Sequence, residues 1–354
     1  MEKIAVSTPG RICLFGEDVD YMGLEVITVA INQRISVIGK INDSGRIRVN
    51  LEDLNKIIEF KNKRQKIHTK RDYVKSTFNL YHEFLPKNFG ANISVNSDLL
   101  IGKGLSSSSA FAAALVGFFD KAARLNSKEK DIARNAYLAE VVNLGEPGGM
   151  MDHYASVIGD VIYLECREPY YYEKLDVKLE GLVIGDTLKR KETIESIALR
   201  KQEIMSAIEI IRKENEDFDL KNIPLKNVLE LYEEDKNSDL KRLIAILGIR
   251  DVVRNGFKKI KNNRIKENDF ADLINKHHYF QQHYFENVTE KMHFLIEKAK
   301  EAGALGCKLL GSGNGGSFLA YAPQKEKAVA TAISKNGGKA YLVNQDKGIT
   351  ISSS

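Results

Sequence analysis

The sequence predicts a mixed α/β protein built from two domains. Its 354 residues exceed the usual size of one domain, and a hydrophobic fraction of 43% is enough for a sizeable core. In the first half, segments rich in β-branched residues alternate with segments of helical apolar spacing. Near residues 170 to 180 the pattern changes to several charged helices, so we divide the chain into residues 1–175 and 176–354.

Patterns in the first half predict a regular succession of strands and helices. Clusters of β-branched residues predict strands at residues 3–8, 25–39, 47–52 and 91–100. Helical apolar spacing predicts helices at residues 71–85, 110–125 and 128–144. The last of these stops before GEPGG, where a proline and three glycines prevent continuation. The segment that follows, residues 150–166, begins as a short helix and ends as a strand.

The second half is more helical and more charged. Several charged helices are predicted between residues 193 and 264, followed by two more at residues 268–285 and 289–302. The chain then predicts a strand KLLG, a loop SGNGG, a strand SFLAYA, a helix KEKAVATAISKNG and a strand KAYLVN. No internal repeat interrupts this order, so a solenoid is not expected.

Composition argues against several classes of function. The net charge is +5, but the charges are interspersed, whereas nucleic-acid binding calls for a clustered basic face. The densest basic run, Lys61–Arg71, fits a solvated surface, with attraction of an anionic ligand as the alternative. The three cysteines form no CxxC pair, so neither a disulfide framework nor a zinc site is predicted.

The sequence shows no feature of secretion or membrane insertion. The N-terminal residues lack the apolar region of a signal peptide, and no apolar run reaches the length of a bilayer span. We therefore expect a cytoplasmic protein, a monomer or homodimer, that acts on a small molecule and binds neither nucleic acid nor membrane.

The segment GKGLSSSSA, Gly102–Ala110, has the composition of a phosphate-binding loop. It lies between a predicted strand and a predicted buried helix, where the first backbone N–H groups lack intrahelical partners and attract anions. Glycine lets the backbone approach a phosphate, and serine hydroxyls can cap the helix or ligate Mg²⁺. The alternative is a serine N-cap without a ligand. The loop is not a Walker A motif, because no GK[ST] follows at the required spacing.

Two further segments carry groups suited to a sugar and a phosphate. In PGRICLFGEDVDY, Pro9–Tyr21, an arginine is followed within ten residues by three acids and a tyrosine. Carboxylates can accept hydrogen bonds from sugar hydroxyls, and arginine suits a phosphoryl group. Taken alone, this segment could be a solvated acidic loop. The segment KLLGSGNGG, Lys308–Gly316, is weak evidence by itself, since glycine-rich loops most often mark tight turns.

In combination these motifs resemble those of the GHMP kinases, the family of galactokinase, homoserine kinase, mevalonate kinase and phosphomevalonate kinase. PGRICLFGEDVDY is similar to the galactokinase-type signature PGRxNLxGEHxDY, GLSSSSA to the family's phosphate loop, and KLLGSGNGGS to its third motif. Glu140, followed by Gly145, Gly149, Met151 and Asp152, resembles the galactokinase pattern E…GxxCGxMD. The resemblance implies an N-terminal domain like domain 2 of ribosomal protein S5 and a ferredoxin-like C-terminal domain.

The resemblance also implies a reaction and a set of site residues. The reaction is transfer of the γ-phosphoryl group of ATP to a sugar hydroxyl, with Mg²⁺. Asp152 would be the catalytic carboxylate, and Arg11 would stand beside it. Ser108 and Glu140 would ligate Mg²⁺. The nucleotide phosphates would be held by Gly102, Gly104, Leu105, Ser106, Ser107, Ser108 and Ser109. The sugar would be held by Glu17, Asp18, Asp20, Tyr21, Gly149, Asp152, Gly311 and Gly313.

Departures from the galactokinase pattern leave the substrate open. Position 18 is aspartate where galactokinases have histidine, and an acceptor-only group there would repel an anionic sugar. His153 stands where glutamine is usual, and we interpret it as a hydrogen-bonding or packing residue. Galactose, phosphorylated at its anomeric hydroxyl, is the default acceptor. A heptose, another sugar or mevalonate are alternatives, although mevalonate-type chains lack the acidic D-Y pair. A non-catalytic regulator that binds sugar and ATP is a further alternative.

Overall fold

Two β-sheets flanked by helices form the protein. The structure is a computed structural model that describes residues 2–67, 71–189, 193–214, 218–262 and 265–354, with the backbone alone at 193–196 and 214. The predicted mixed α/β class is confirmed. No helix among these residues is both long and apolar enough to cross a membrane.

Most of the strands form one large sheet, and four form a second. The strands are β1 Lys3–Phe15, β2 Glu25–Asn42, β3 Arg46–Leu51, β4 Lys56–Lys61, β5 Gly90–Ser97, β6 Val161–Glu165, β7 Tyr171–Lys174, β8 Leu182–Asp186, β9 Gly306–Leu310, β10 Ser317–Tyr321, β11 Lys339–Val343 and β12 Thr350–Ser353. The first sheet has the order β12-β1-β2-β5-β3-β4, with β6 and β7 continuing from β2. Its pairs are antiparallel except β3 with β5. The second has the order β11-β8-β10-β9, the arrangement of a ferredoxin-like fold.

Helices pack on both sheets. They are α1 Tyr73–Tyr81, α2 Ser107–Ala122, α3 Glu129–Tyr137, α4 Met151–Ile158, α5 Thr193–Glu214, α6 Leu225–Asp235, α7 Ser238–Lys261, α8 Glu267–Phe280, α9 Glu290–Glu301 and α10 Glu326–Lys335. Two π-helical turns extend α3 and α8, over Leu138–Val142 and Gln281–Phe285. Each predicted helix is present in this set, with ends that differ by a few residues.

The structure differs from the sequence prediction at several strands. β1 runs unbroken through the Pro9-Gly10 pair, and a register shift between these residues accommodates the proline. β4 and β12 were not predicted, because both are short edge strands with little apolar alternation. The basic run Lys61–Arg71 begins at the last residue of β4, and its residues 68–70 lie outside the described part of the chain. β12 pairs with β1 although it follows the second sheet in the chain, and the division at residue 175 stays a prediction.

Helix α2 is buried against the first sheet. Its apolar residues, from Ala110 to Phe119, are completely or almost completely buried apart from Phe111. The Thr8 hydroxyl of β1 donates to the Ala110 carbonyl at 2.7 Å and fixes the first turn of α2 against the sheet. Further along, Phe118 packs on Gly39 of β2, where an added Cβ would lie 2.4 Å from the ring. The start of α2 is therefore held in place relative to β1.

Arg34 joins the C-terminal segment to the first sheet. Its guanidinium donates to the Ser7 hydroxyl and carbonyl, to Asp346 Oδ2, and to the carbonyls of Lys347 and Gly348, at distances between 2.7 and 3.0 Å. The planar fork of arginine suits such a set of acceptors. The chain after β11 is thereby returned to β1, where β12 pairs.

Replacing Arg34 tests this connection. We expect Arg34→Ala to lower the free energy of unfolding by about 2 kcal/mol, because it leaves several acceptors without their charged donor. Arg46→Ala is the matched control, since Arg46 forms an exposed ion pair with Glu59 and should change the free energy by less than about 1 kcal/mol. Urea midpoints compare the two. Equal shifts for both variants would contradict the account.

Candidate active site

A cavity lies between the first sheet and the end of β9, and most of the predicted site residues line it. They are Arg11, Glu17, Asp18, Asp20, Tyr21, Gly102, Gly104, Ser106, Ser107, Ser108, Ser109, Glu140, Gly149, Asp152 and Gly311. Leu105 and Gly313 do not line the cavity. The Leu105 carbonyl accepts the Arg11 backbone N–H at 3.2 Å, and an added Cβ on Gly313 would lie 2.5 Å from the Asn287 carbonyl oxygen.

Arg11 and Asp152 form a close ion pair at the cavity. The Arg11 Nε donates to Asp152 Oδ1 at 2.8 Å, and its Nη2 lies 2.6 Å from the same oxygen. The third nitrogen, Nη1, donates to the Gly104 carbonyl at 2.6 Å. Arg11 is buried, whereas the Asp152 side chain keeps 26% exposure. A carboxylate held on one side and open on the other can meet a ligand in the cavity.

The ion pair determines the charge of both partners. Burial is the largest single influence and would raise the pKa of Asp152, but the Arg11 charge, the Arg11 hydrogen bond and smaller contributions from neighbouring groups together outweigh it and hold the pKa below its ordinary value. Burial would likewise lower the pKa of Arg11, and the attraction of Asp152 and Glu17 raises it above its ordinary value. Asp152 is therefore ionised at neutral pH.

Glu17 lies between two buried cations. Its Oε1 is 3.6 Å from Arg11 Nη2, and its Oε2 accepts from Lys308 Nζ at 3.3 Å. Lys308 belongs to β9 of the second sheet, has no exposed surface, and also donates to the Cys13 carbonyl of β1 at 2.8 Å. Both oxygens of Glu17 thus face a cation, and the ion pairs run from Asp152 through Arg11 and Glu17 to Lys308.

His277 of α8 holds the backbone at the start of the acidic loop. Its Nε2 accepts from the backbone N–H groups of Gly16 and Glu17, both at 3.2 Å. Burial, together with the nearby Lys308 charge, lowers the pKa of His277 well below its ordinary value, so the ring is neutral and can accept. His277 is structural.

Asn287 connects the acidic loop to the third glycine-rich motif. Its Nδ2 donates to Asp18 Oδ2 at 3.3 Å and to the Ser312 carbonyl at 3.4 Å. Asp18 adopts a left-handed backbone conformation with φ 65°, which is uncommon outside glycine. The side chain at position 18 is thereby fixed at the cavity.

Asp20 is a buried carboxylate beside other acids. A Cβ on Gly149 would lie 2.1 Å from Asp20 Oδ2, so only glycine permits this approach. Burial, and then repulsion by Asp152, raises the pKa of Asp20 to about 7. Near neutral pH, Asp20 is therefore present in both its protonated and its ionised form.

The serine loop leads directly into α2, and Ser106 makes no side-chain capping hydrogen bond there. Helix α2 begins at Ser107, and Ser106 precedes it with a left-handed φ of 61°. Gly104 has φ 82°, and an added Cβ would lie 2.6 Å from the Leu310 carbonyl oxygen of β9. Lys103 pairs with Asp186 at the end of β8 at 2.9 Å. The loop is thus placed against both the first sheet and the second.

Glu140 and His153 form a buried pair next to this loop. His153 Nε2 lies 2.7 Å from Glu140 Oε2, and both residues are almost completely buried. Glu140 belongs to the π-helical turn after α3, a feature that often occurs at functional sites. The described residues contain no cluster of three His, Cys, Asp or Glu side chains that could hold a metal by themselves.

Sequence reasoning did not identify two of the residues that organise this site. Lys308 was noted only as part of a glycine-rich motif, although a lysine in an otherwise apolar strand is a signal of a buried charge. Asn287 stands in no motif. Its role depends on its hydrogen bonds to both Asp18 and Ser312, residues that are far apart in the sequence.

Comparison with known proteins identifies the family. Residues 1–41 match the galactokinase galactose-binding signature, residues 72–160 the GHMP kinases N terminal domain, and residues 259–339 the GHMP kinases C terminal domain. The chain belongs to the GHMP kinase family. GHMP kinases such as galactokinase and mevalonate kinase are phosphotransferases with an alcohol acceptor, so this GHMP kinase is an enzyme of that class.

Relatives of this GHMP kinase include proteins named mevalonate kinase and proteins named galactokinase. The mevalonate kinase of Thermococcus sibiricus is 29% identical over 346 residues, which is 95% of this chain and 94% of that protein. The galactokinase of Thermococcus kodakarensis is 29% identical over 325 residues, or 89% and 88%.

Solved structures of the family share its fold. Lactococcus lactis galactokinase complexed with galactose has a TM-score of 0.85 at 21% identity, covering 98% of this chain and 95% of that one. Methanococcus jannaschii mevalonate kinase has a TM-score of 0.72 at 21% identity, covering 97% and 98%. The predicted GHMP kinase fold is confirmed.

The raised pKa of Asp20 predicts a pH-dependent stability. The pKa is higher in the folded protein than in the unfolded chain, so the folded protein binds an extra proton between about pH 4 and pH 7. Stability is therefore lost as the pH rises through this window. Asp20→Asn has no proton to lose at this position. Its free energy of unfolding should therefore rise relative to that of the unchanged protein by on the order of 2 to 4 kcal/mol as the pH goes from about 4 to about 8.

Denaturant midpoints in a pH series measure this difference. Asp53→Asn, at an exposed position in the short 3₁₀ turn after β3, is the control and should follow the unchanged protein. A pH-independent difference between Asp20→Asn and the unchanged protein would refute the assigned ionisation.

Proposed function

We propose that this GHMP kinase is an ATP-dependent sugar kinase that transfers the γ-phosphoryl group of ATP to a sugar hydroxyl. Galactose or a related hexose is the acceptor, at its anomeric hydroxyl. The observation that carries the proposal is the group of carboxylates from the acidic loop, which face the same cavity as the Arg11–Asp152 pair and the serine loop. The galactose-binding signature over residues 1–41 supports the choice of sugar.

The charge of the cavity favours an uncharged, hydroxyl-rich acceptor. Its lining carries six acids, namely Glu17, Asp18, Asp20, Glu140, Glu146 and Asp152. Among the described residues of the lining, Arg11 is the one lysine or arginine, and it is already paired with Asp152. An acceptor that carries its own carboxylate would meet like charge at short range, which is unfavourable in a partly buried site.

Asp20 and Tyr21 supply groups that suit hydroxyls. The Tyr21 hydroxyl is buried and has no hydrogen-bond partner among the described residues. A buried hydroxyl without a partner is costly, and a ligand hydroxyl would satisfy it. Asp20 near its pKa can accept or donate, depending on its proton.

Asp152 and Arg11 are the proposed catalytic groups. The ionised Asp152 carboxylate would accept the proton of the acceptor hydroxyl or orient that hydroxyl toward the phosphoryl group. Arg11 keeps this carboxylate ionised, and its guanidinium would meet negative charge on the transferring group. Because Arg11 also binds the Gly104 carbonyl, the catalytic pair and the serine loop are fixed relative to each other.

The N-terminus of α2 is the proposed nucleotide-phosphate site. Its unpaired N–H groups and the helix dipole favour anions, and the residues from Gly102 to Ser109 surround them. Ser108 and Glu140 offer the hard oxygen donors that Mg²⁺ prefers, and a Mg²⁺ that keeps several waters needs few protein ligands. When bound, Mg²⁺ would neutralise charge on the phosphates.

Mevalonate is the second candidate acceptor. Curated relatives named mevalonate kinase, such as that of Pyrococcus abyssi at 28% identity, match nearly the whole chain. The acidic cavity argues against this candidate, because mevalonate is itself a carboxylate. We further propose that the enzyme acts in the cytoplasm as a monomer or homodimer.

An acceptor panel tests the proposed function. Purified protein, ATP and Mg²⁺ are combined with hexoses, heptoses, amino sugars and mevalonate, and ADP release is measured by a coupled assay. We expect galactose or a related neutral hexose to give a kcat/KM at least about ten-fold above that of mevalonate, because the cavity repels a carboxylate. Preferred turnover of mevalonate would contradict the choice of a neutral acceptor. No turnover on any compound would contradict the proposed sugar kinase.

Asp152→Asn tests the catalytic carboxylate. We expect kcat to fall by about 100-fold or more, since the amide cannot take the hydroxyl proton, while the Kd for ATP stays within about three-fold. Asp160→Asn, at an exposed ion pair with Lys174 outside the lining, is the control and should keep its kcat. Undiminished turnover in folded Asp152→Asn protein would remove the assigned role.

A further inference from the structure

Lys308 is a buried cation whose place outside the cavity is not explained by substrate binding. It lies in β9, has no exposed surface, and does not belong to the cavity lining. Burying a lysine ammonium is costly unless it is paired. Its hydrogen-bond partners are the Cys13 carbonyl and Glu17 Oε2, both from the segment that carries Arg11.

Glu17 is where Lys308 can influence the catalytic pair. The Glu17 side chain is 2% exposed, so its charge is compensated by the two cations beside it rather than by water. Arg11 lies 3.6 Å from Glu17 and at hydrogen-bond distance from Asp152, so the two carboxylates compete for one guanidinium. Without the Lys308 charge, Glu17 would attract Arg11 more strongly, at the expense of Asp152.

We propose that Lys308 is a positioning residue for phosphoryl transfer. By pairing with Glu17 it keeps the Arg11 guanidinium on Asp152, so β9 of the second sheet sets the geometry of a catalytic pair carried by β1 and α4. This inference rests on the proposed catalytic role of Asp152. The third motif would then contribute more than its glycines, because Lys308, the first residue of KLLG, would position Arg11 through Glu17 without contacting a substrate.

Three variants separate positioning from mere stability. Lys308→Met removes the charge and keeps an unbranched apolar side chain of similar reach. The double variant Glu17→Gln/Lys308→Met also removes the competing carboxylate, so Arg11 has Asp152 as its remaining acidic partner in this group. Lys221→Met is the matched control, because Lys221 bridges Glu25 and Glu165 away from the cavity.

Turnover is measured with ATP and saturating galactose on protein shown to be folded by circular dichroism. We expect Lys308→Met to lower kcat by about 100-fold with the KM for ATP within about two-fold, the signature of a misplaced catalytic group. The double variant should recover at least about ten-fold of this loss. Lys221→Met should stay within about two-fold of the unchanged protein.

A spectroscopic measurement tests the same inference without any acceptor. The Nε–H signal of Arg11 is recorded by ¹H–¹⁵N NMR and assigned by its disappearance in Arg11→Lys. We expect this signal to move in Lys308→Met and to return in the double variant. If galactose is not turned over by the unchanged protein, the proposed substrate fails, and this signal still decides the role of Lys308.

Two results would overturn the inference. One is a folded Lys308→Met protein with unchanged kcat or an unchanged Arg11 signal. The other is a double variant that regains thermal stability but not kcat, since stability alone would then explain the lysine. If Lys308→Met does not fold, Lys308→Gln takes its place, because glutamine keeps a donor for the Cys13 carbonyl.

Discussion

The buried ion pairs from Asp152 through Arg11 and Glu17 to Lys308 are the constraint on which the site depends. They join α4, β1, the acidic loop and β9, elements that no local sequence signal brings together. Buried ion pairs are weak evidence for stability, because desolvation can cancel the attraction. Here the ion pairs orient the side chains, because each charged group is held by its neighbour. Of these four side chains, Asp152 alone keeps substantial exposure.

The serine loop depends on the same arrangement. An added Cβ on Gly104 would lie 2.6 Å from the Leu310 carbonyl oxygen of β9, and the Gly104 carbonyl accepts a hydrogen bond from Arg11 Nη1. Lys103 forms an ion pair with Asp186 of β8, so the loop lies against both β8 and β9 of the second sheet. A shift of the second sheet would therefore move the proposed phosphate site and the Arg11–Asp152 pair together. In the proposed arrangement, the acids of the cavity would face the acceptor and the helix amides would face the phosphates.

Short-range sequence patterns predicted the fold class and the helices, and the resemblance to the GHMP kinases pointed to most of the residues that line the cavity. Hydrophobic periodicity located α2, and the motif around Asp152 could be recognised residue by residue. Contacts between residues far apart in the sequence could not be predicted in this way. Lys308 and Glu17 are 291 positions apart, and a charge pattern does not tell which buried acid a lysine contacts. The pKa of Asp20 likewise depends on burial against Gly149 and Asp152, which only the folded chain defines.

The central claim is that Arg11 and Asp152 form the catalytic pair, kept in register by Glu17 and Lys308. A crystal structure with galactose and a non-hydrolysable ATP analogue tests it most directly. The account predicts a γ-phosphoryl group facing Asp152, phosphates at the N-terminus of α2, Arg11 on Asp152, and Glu17 still paired with Lys308. Phosphates bound away from α2, or a sugar far from Asp152 with Glu17 turned away from Lys308, would contradict it.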